Sequence, residues 1–402
     1  MRIAVVSPFL DRRHGTERAL AELLERLSGQ YGCEIHLFAQ RVQDLTVQRP
    51  TNSRRPKSNV IFWHRVPRCF GPYALQFVCW IFLNTLIRFW RRAVSGYDFA
   101  LVLSPGINCL DADVILVHAV IRRFLELAIT TKDERGQENG PRALHRRFYY
   151  AVVAALEGRV YQDRRVSLAT VSRHSAGQLQ KYFQRGDVRV IPNGVDTSQF
   201  SSAARLAARA EARQQRGYRD SDFVLLLIGN SWRVKGLPTV LAVMAARQGL
   251  PMRLMVVGDD NLTEFIALAQ TLGVLKRCRW EQTRADVLNF YAAADLYVCP
   301  AREDPFGLPV AEAMACGLPV VTSSQAGVAE LIDDTNDGFV LKDPENVEGL
   351  ASILEQLYLD DGLRSRIGAA AEAAAQGWTW DRNAEAVWEL LKEVAAKKVR
   401  RQ

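Results

Sequence analysis

Cysteine is scarce in this chain: seven residues, at 33, 69, 79, 109, 278, 299 and 316, with no C-x-x-C pair among them. The spacing signal for a redox or zinc-binding pair is therefore missing. Thiols buried in apolar runs, in a reducing compartment, are the simplest expectation. The start, Met1-Arg2-Ile3-Ala4-Val5-Val6, enters a strand at once and lacks a signal-peptide cleavage pattern, so a cytoplasmic location is expected. No short internal repeat is visible, and no nucleic-acid module accompanies the basic charge. The one long apolar run, 73–90, would measure about 27 Å as a helix, marginal for crossing a bilayer.

What is present is ordinary for a soluble globular chain: 402 residues, 48% hydrophobic and 24% charged. That length suits two domains, each with its own core. The net charge of +8 is unevenly placed, with 29 Lys+Arg against 16 Asp+Glu in residues 1–195 and 23 against 28 in the rest. A basic half attracts anionic lipid, phosphorylated acceptors or nucleic acid. Without a nucleic-acid module, a membrane surface or anionic acceptor is the expected partner.

Strands and helices alternate. Apolar strands are expected at 3–7, 34–39, 99–104, 114–118, 168–172 and 188–191, with a loop at 8–15 and a helix at 16–28. A helical connector covers 197–221. A second series of strands follows at 223–228, 253–258, 279–281, 296–298 and 320–322. This order predicts an α/β fold of parallel, doubly wound sheets. The Pro192-Asn193-Gly194 turn places a hinge near 193–197, giving domains at 1–195 and 196–380. Val387, Leu390, Leu391 and Val394 have helical spacing near the end of the chain.

The most informative run is Asp304-Pro305-Phe306-Gly307-Leu308-Pro309-Val310-Ala311-Glu312, two acids with seven residues between them. It follows an apolar strand and holds a glycine turn and a helix start. Both acids can face a crevice at the carboxyl end of a parallel sheet, and the helix start can meet an anion. That chemistry suits a sugar nucleotide. A second loop, Ile228-Gly229-Asn230-Ser231-Trp232-Arg233-Val234-Lys235-Gly236, brings glycines and two cations between a strand and a helix, as a diphosphate requires.

The first run resembles the E-x7-E signature of family 4 retaining glycosyltransferases, whose GT-B fold sets two Rossmann-like domains facing a central cleft. Asp304 stands where that family usually has Glu, and Asn230 where an Arg is common. The resemblance implies a metal-independent transfer from a UDP- or GDP-sugar, with no other cofactor, to a cell-envelope or lipid-linked glycan. Asp304, Lys235 and His118 would be catalytic. Gly15, Arg233, Lys235, Phe306, Gly307, Leu308 and Glu312 would bind the donor, with Glu312 on the ribose. His14-Gly15-Thr16-Glu17-Arg18 resembles the family's Gly-rich first loop, with His14 in place of a glycine. Val171-Ser172-Arg173-His174-Ser175 and Ile191-Pro192-Asn193-Gly194-Val195-Asp196 match it as architecture. The resemblance also implies that the last helix, 381–402, packs back on the first domain.

Some readings stay open on the residues alone. His118 ends a strand and is either a contact to the donor sugar or incoming hydroxyl, or a satisfied strand-end residue. Asp111-Ala112-Asp113 reads as a solvated turn rather than a metal string. Asn84, Arg88, Arg91 and Arg92 form a polar stripe on 73–92, which suits either a helix lying on an anionic membrane surface or a buried helix with a basic edge. Arg142, Arg146 and Arg147 beside Tyr149 and Tyr150 add a second basic–aromatic stretch. A non-catalytic, peripheral-membrane sugar-nucleotide binder is the alternative to an enzyme; phosphorolysis would call for a longer chain and a cofactor lysine.

Overall fold

The computed structural model describes residues 1–12, 15–49, 59–127, 141–284 and 286–400. His14 and the side chains of Arg142 and Arg146 lie outside the described residues. Two compact units divide the chain, one of residues 1–192 with 381–402 and the other of residues 193–380.

In the first unit a seven-stranded, all-parallel sheet forms from β1 (Arg2–Val6), β2 (Glu34–Ala39), β3 (Val60–Arg65), β4 (Leu101–Pro105), β5 (Val114–Val117), β6 (Ser167–Thr170) and β7 (Arg189–Val190). Its order is β3-β2-β1-β4-β5-β6-β7. Every residue of β1, β2 and β5 is buried. A parallel sheet covered on both faces calls for largely apolar strands, and the polar Arg2, Glu34 and His36 buried here pair with one another. The helices are α1 (Gly15–Gly29), α2 (Tyr73–Ser95), α3 (Pro141–Tyr161) and α4 (Arg173–Phe183). Ser172 caps α4 by accepting a hydrogen bond from the Ser175 N–H.

The second unit repeats the plan with α5 (Ser202–Arg216), β8 (Phe223–Ile228), α6 (Leu237–Ala246), β9 (Met252–Val257), α7 (Leu262–Thr271), β10 (Cys278–Glu281), α8 (Leu288–Ala293), β11 (Leu296–Cys299), α9 (Leu308–Ala315), β12 (Val320–Ser323), β13 (Phe339–Leu341), α10 (Val347–Leu359) and α11 (Asp361–Ala375). Its six parallel strands run β10-β9-β8-β11-β12-β13. The last helix, α12 (Trp380–Val399), contributes Val387, Leu390, Leu391 and Val394 to the core of the first unit, beside Ile3 and Val5.

Asn84 and Arg88 of α2 do not form part of a solvent-facing polar stripe; both point into the protein and are buried. Asn84 Nδ2 donates to the Trp80 and Asn108 carbonyls, and the Arg88 guanidinium donates twice to Asp111 at 2.7 Å. A buried arginine needs a carboxylate partner, and the fold supplies one from the loop after β4.

Candidate active site

In both sheets the strand order reverses beside the first strand of the unit, between β1 and β4 and between β8 and β11. Open α/β sheets bind ligands outside the carboxyl ends of strands at such a switch point. In the second unit the loops leaving β8 and β11 meet there. The first carries Lys235, the second Asp304, and Lys235 Nζ donates to Asp304 Oδ2 at 2.5 Å. Burial pulls the Lys235 ammonium down, but the carboxylate beside it outweighs that and leaves it above its ordinary pKa. A charged amine thus stands in a largely desolvated position, where its field is strong.

Backbone geometry holds the two loops together. Gly236 has φ +80°, and a Cβ there would lie 2.0 Å from the Pro300 carbonyl oxygen, so only glycine fits. Gly258, at the end of β9, approaches the Gly229 carbonyl, which a Cβ would meet at 2.2 Å. Asn230 Oδ1 accepts from the Asp259 N–H, and Asp260 Oδ2 accepts from the Trp232 N–H. Asn230 therefore ties the first loop to the loop after β9.

The loop after β11 ends at Gly307, φ +97°, which precedes α9 without any side-chain cap. Proline at 309 has no N–H to satisfy, the Val310 N–H turns back to the Gly307 carbonyl at 3.0 Å, and this first turn is the positive end of the helix dipole. One turn on, buried Glu312 accepts a hydrogen bond from the Tyr291 hydroxyl at 2.7 Å. Burial and then the Glu312 charge push the Tyr291 phenol well above its usual pKa, so it stays a donor. Beyond the ends of β9 and β10 lies a cavity of about 450 Å³, lined by Trp232, Asp259, Asp260, Trp280 and Glu281 among others. The Trp232 and Trp280 rings there are 5.4 Å apart.

Residues 13–199 match the family model described as Glycosyltransferase Family 4, and residues 208–374 the one described as Glycosyl transferases group 1. The chain belongs to the family 4 glycosyltransferases. The D-inositol 3-phosphate glycosyltransferase of Salinispora arenicola is 35% identical over 226 residues, which cover 52% of this chain and 50% of that protein. Lipopolysaccharide glucosyltransferase WaaG of Escherichia coli is 30% identical over 224 residues, 54% of this chain and 59% of that one. The matches thus span only about half to three-fifths of these relatives. The crystal structure of a WaaG glycosyltransferase involved in lipopolysaccharide biosynthesis is similar over 97% of this chain and 99% of that one, with TM-score 0.75 and 21% identity. Anabaena HepE, solved with UDP and glucose, covers 98% of this chain and 99% of its own at TM-score 0.69 and 18% identity. At such identities the likeness is one of fold, and the fold is GT-B.

The structure brings Lys235 against Asp304 and sets Phe306, Gly307 and Leu308 on the loop and helix start that follow, with Glu312 one turn further on and held by Tyr291. Arg233 is held elsewhere: its guanidinium pairs with Glu264 of α7. His118 follows β5 and Gly15 opens α1, both in the first unit. Burial lowers the His118 pKa to about 4, so its ring is neutral near pH 7, with Nδ1 3.3 Å from the Leu116 carbonyl oxygen. Just beyond, buried Glu157 of α3 accepts from the N–H groups of Ile121 and Arg122 and so caps the helical residues 121–127. Asp111 is taken by Arg88, and Asp113 by the Val102 N–H and Lys398. Sequence reasoning passed over Tyr291, Glu157 and the tryptophan pair. Their partners lie far along the chain or in another element, and no local spacing marks them.

Proposed function

We propose that the protein transfers a sugar from a nucleotide-diphosphate sugar to a lipid-linked or cell-envelope glycan on the cytoplasmic side, with retention of anomeric configuration and without a metal ion. The observation that carries this reading is the buried Lys235–Asp304 pair at the switch point, set beside an uncapped helix start. Cleaving a glycosyl–phosphate bond gathers negative charge on the leaving diphosphate. A fixed ammonium and a helix N-terminus in a desolvated crevice stabilise that charge as it develops.

Each neighbour then has a task. Glu312, oriented by Tyr291, offers its carboxylate to the ribose hydroxyls. The cavity at Trp232 and Trp280 gives the nucleobase an apolar slot with acids at its rim. Asp304 exchanges Lys235 for the hydroxyls of the donor sugar. In the first unit His118, neutral at working pH, contacts the donor sugar or the incoming hydroxyl. Retention rests on the resemblance of the 304–312 run to retaining enzymes. A uridine nucleotide is supported by the UDP and UDP-glucose complexes of HepE, with guanosine as the alternative base.

A thermal-shift panel of UDP, GDP, ADP and their sugar conjugates, with and without chelator, tests the donor site. Ligand at about 100 times Kd should add roughly 2.7 kcal/mol of stability to the second unit. A shift with one nucleotide class, unchanged by chelator, supports the reading. Donor hydrolysis lost in Glu312→Ala then separates an enzyme from a binder. No shift with any nucleotide would sink the assignment.

A further inference from the structure

We propose that α2, with the start of α3, seats the first unit in the interface of an anionic lipid bilayer. The helix has two opposite faces. One packs inward through Trp80, with Asn84 and Arg88 at 0% and 5% exposure. The other presents Leu75, Val78, Phe82, Leu86 and Phe89, a continuous stripe at spacings of three and four residues. Phe82 is 64% and Phe89 69% exposed. A helix on a water-facing surface turns its polar side outward; this one buries Asn84 and Arg88 and leaves Phe82, Phe89 and Trp90 exposed. Of the eighteen exposed large apolar side chains among the described residues, twelve lie in 70–94 and 144–150. The two segments adjoin, with Tyr73 stacked near His145 and Phe77 edge-on to Tyr149. An apolar patch of this concentration marks an interaction surface.

Charge selects the occupant. Between Asp44 and Asp98 the sequence has no acidic residue and nine lysines and arginines. Arg92 and Arg147 are exposed at the border of the patch. In a two-fold dimer the same net-basic segment would meet itself, setting cations against cations, with Asp98 beside Arg92 and Asp111 beside Arg88 as the acids at its edge. Anionic headgroups supply the missing charge while acyl chains take the stripe. The helix does not span: Arg88 is held to Asp111 by two hydrogen bonds, and withdrawal would strip the buried guanidinium of its carboxylate. It lies in the interface plane, still docked on its sheet.

The full chain is sedimented with vesicles of phosphatidylcholine alone and of phosphatidylcholine mixed with phosphatidylglycerol. We expect partitioning to the mixed vesicles, weakened about tenfold or more by Phe82→Ser with Phe89→Ser. Arg92→Gln with Arg147→Gln should remove much of the preference for anionic lipid and of its salt sensitivity. Circular dichroism and the unfolding midpoint of each variant check that it is folded, since none of these side chains is buried. Wild-type protein that ignores both vesicle types overturns the proposal, as does a folded Phe82→Ser, Phe89→Ser variant that binds like wild type. A soluble dimer that dissociates on the same two substitutions would assign the stripe to a second copy instead. The nucleotide thermal shift reads the second unit and stands or falls apart from this result.

Discussion

At the scale of single residues the pair Lys235–Asp304 decides most. Without ligand, each is the other's counter-charge. A diphosphate would have to draw Lys235 from that carboxylate. Asp304→Asn keeps the shape and releases the ammonium, so UDP should bind more tightly while donor turnover falls; calorimetry and a turnover assay read the two directions. Lys235→Ala should lower turnover by about 10²–10³, the usual loss for a group that stabilises developing charge. It also strands a buried carboxylate, which costs about 3 kcal/mol of stability. Thermal unfolding of the variant checks that second effect. If Lys235→Ala turns over like wild type, the loop after β8 is not the diphosphate site. His118→Ala should reduce kcat with little change in donor affinity. Its ring titrates near pH 4, so the pH–rate profile should show no histidine limb near 6.5. Unchanged kcat would leave His118 as a satisfied strand-end residue.

At the scale of elements the strand–loop–helix units carry the site, and one glycine fixes how two of them meet. Gly236→Ala would drive a methyl into the Pro300 carbonyl at a backbone conformation that alanine disfavours. We expect a loss of roughly 1–3 kcal/mol, read by denaturant midpoint, and a larger loss of donor binding because Lys235 shifts with the loop. A variant with wild-type stability and donor affinity would show that this contact matters to neither. The loop itself was legible in the sequence, since a buried strand, glycines, a lysine and a helix are all local signals. The helix at Gly15–Gly29 and strands such as Arg2–Val6, Glu34–Ala39, Phe223–Ile228 and Met252–Val257 likewise follow from apolar pattern. The strands Val60–Arg65 (VIFWHR) and Phe339–Leu341 (FVL) are apolar too but were not expected. Orientation was not legible either. Arg88 finds Asp111 twenty-three residues on, Glu312 finds Tyr291 twenty-one residues back, and Arg233 finds Glu264 thirty-one residues on. Helical periodicity shows which residues share a face, but a distant partner determines whether that face turns in or out.

At the scale of the whole molecule, acid stability follows from four buried groups of the first unit. Arg2, Glu34, His36 and His64 form a chain: Arg2 donates to Glu34, His36 Nε2 lies 2.7 Å from the same carboxylate, and His36 Nδ1 lies 2.7 Å from His64 Nε2. A carboxylate only accepts, so His36 carries its proton on Nε2 and His64 donates to it. His64 Nδ1 is then a bare acceptor, consistent with its lack of a partner. Burial lowers His36 from 6.5 to about 4 and, with the neighbouring His36, takes His64 to about 2. His118 falls to about 4. For each, the unfolded chain binds a proton below 6.5 that the native ring refuses, so stability drains as pH falls from 6.5 toward those values. Glu157 opposes this. Burial raises it from 4.5 to about 7, so between those values the native carboxyl holds a proton that the unfolded one has lost. Three rings against one carboxyl leave a net proton uptake on unfolding between pH 4.5 and 6.5, so stability falls by on the order of a few kcal/mol as pH drops through that range. The urea midpoint of the first unit should therefore fall steeply over that range. His64→Phe, which keeps the stacking on Phe38, removes one titrating ring and should flatten the fall. A midpoint constant from pH 7 to 4.5 would mean that these rings are already solvated in the native protein, and that the buried chain beneath β2 and β3 does not hold in solution.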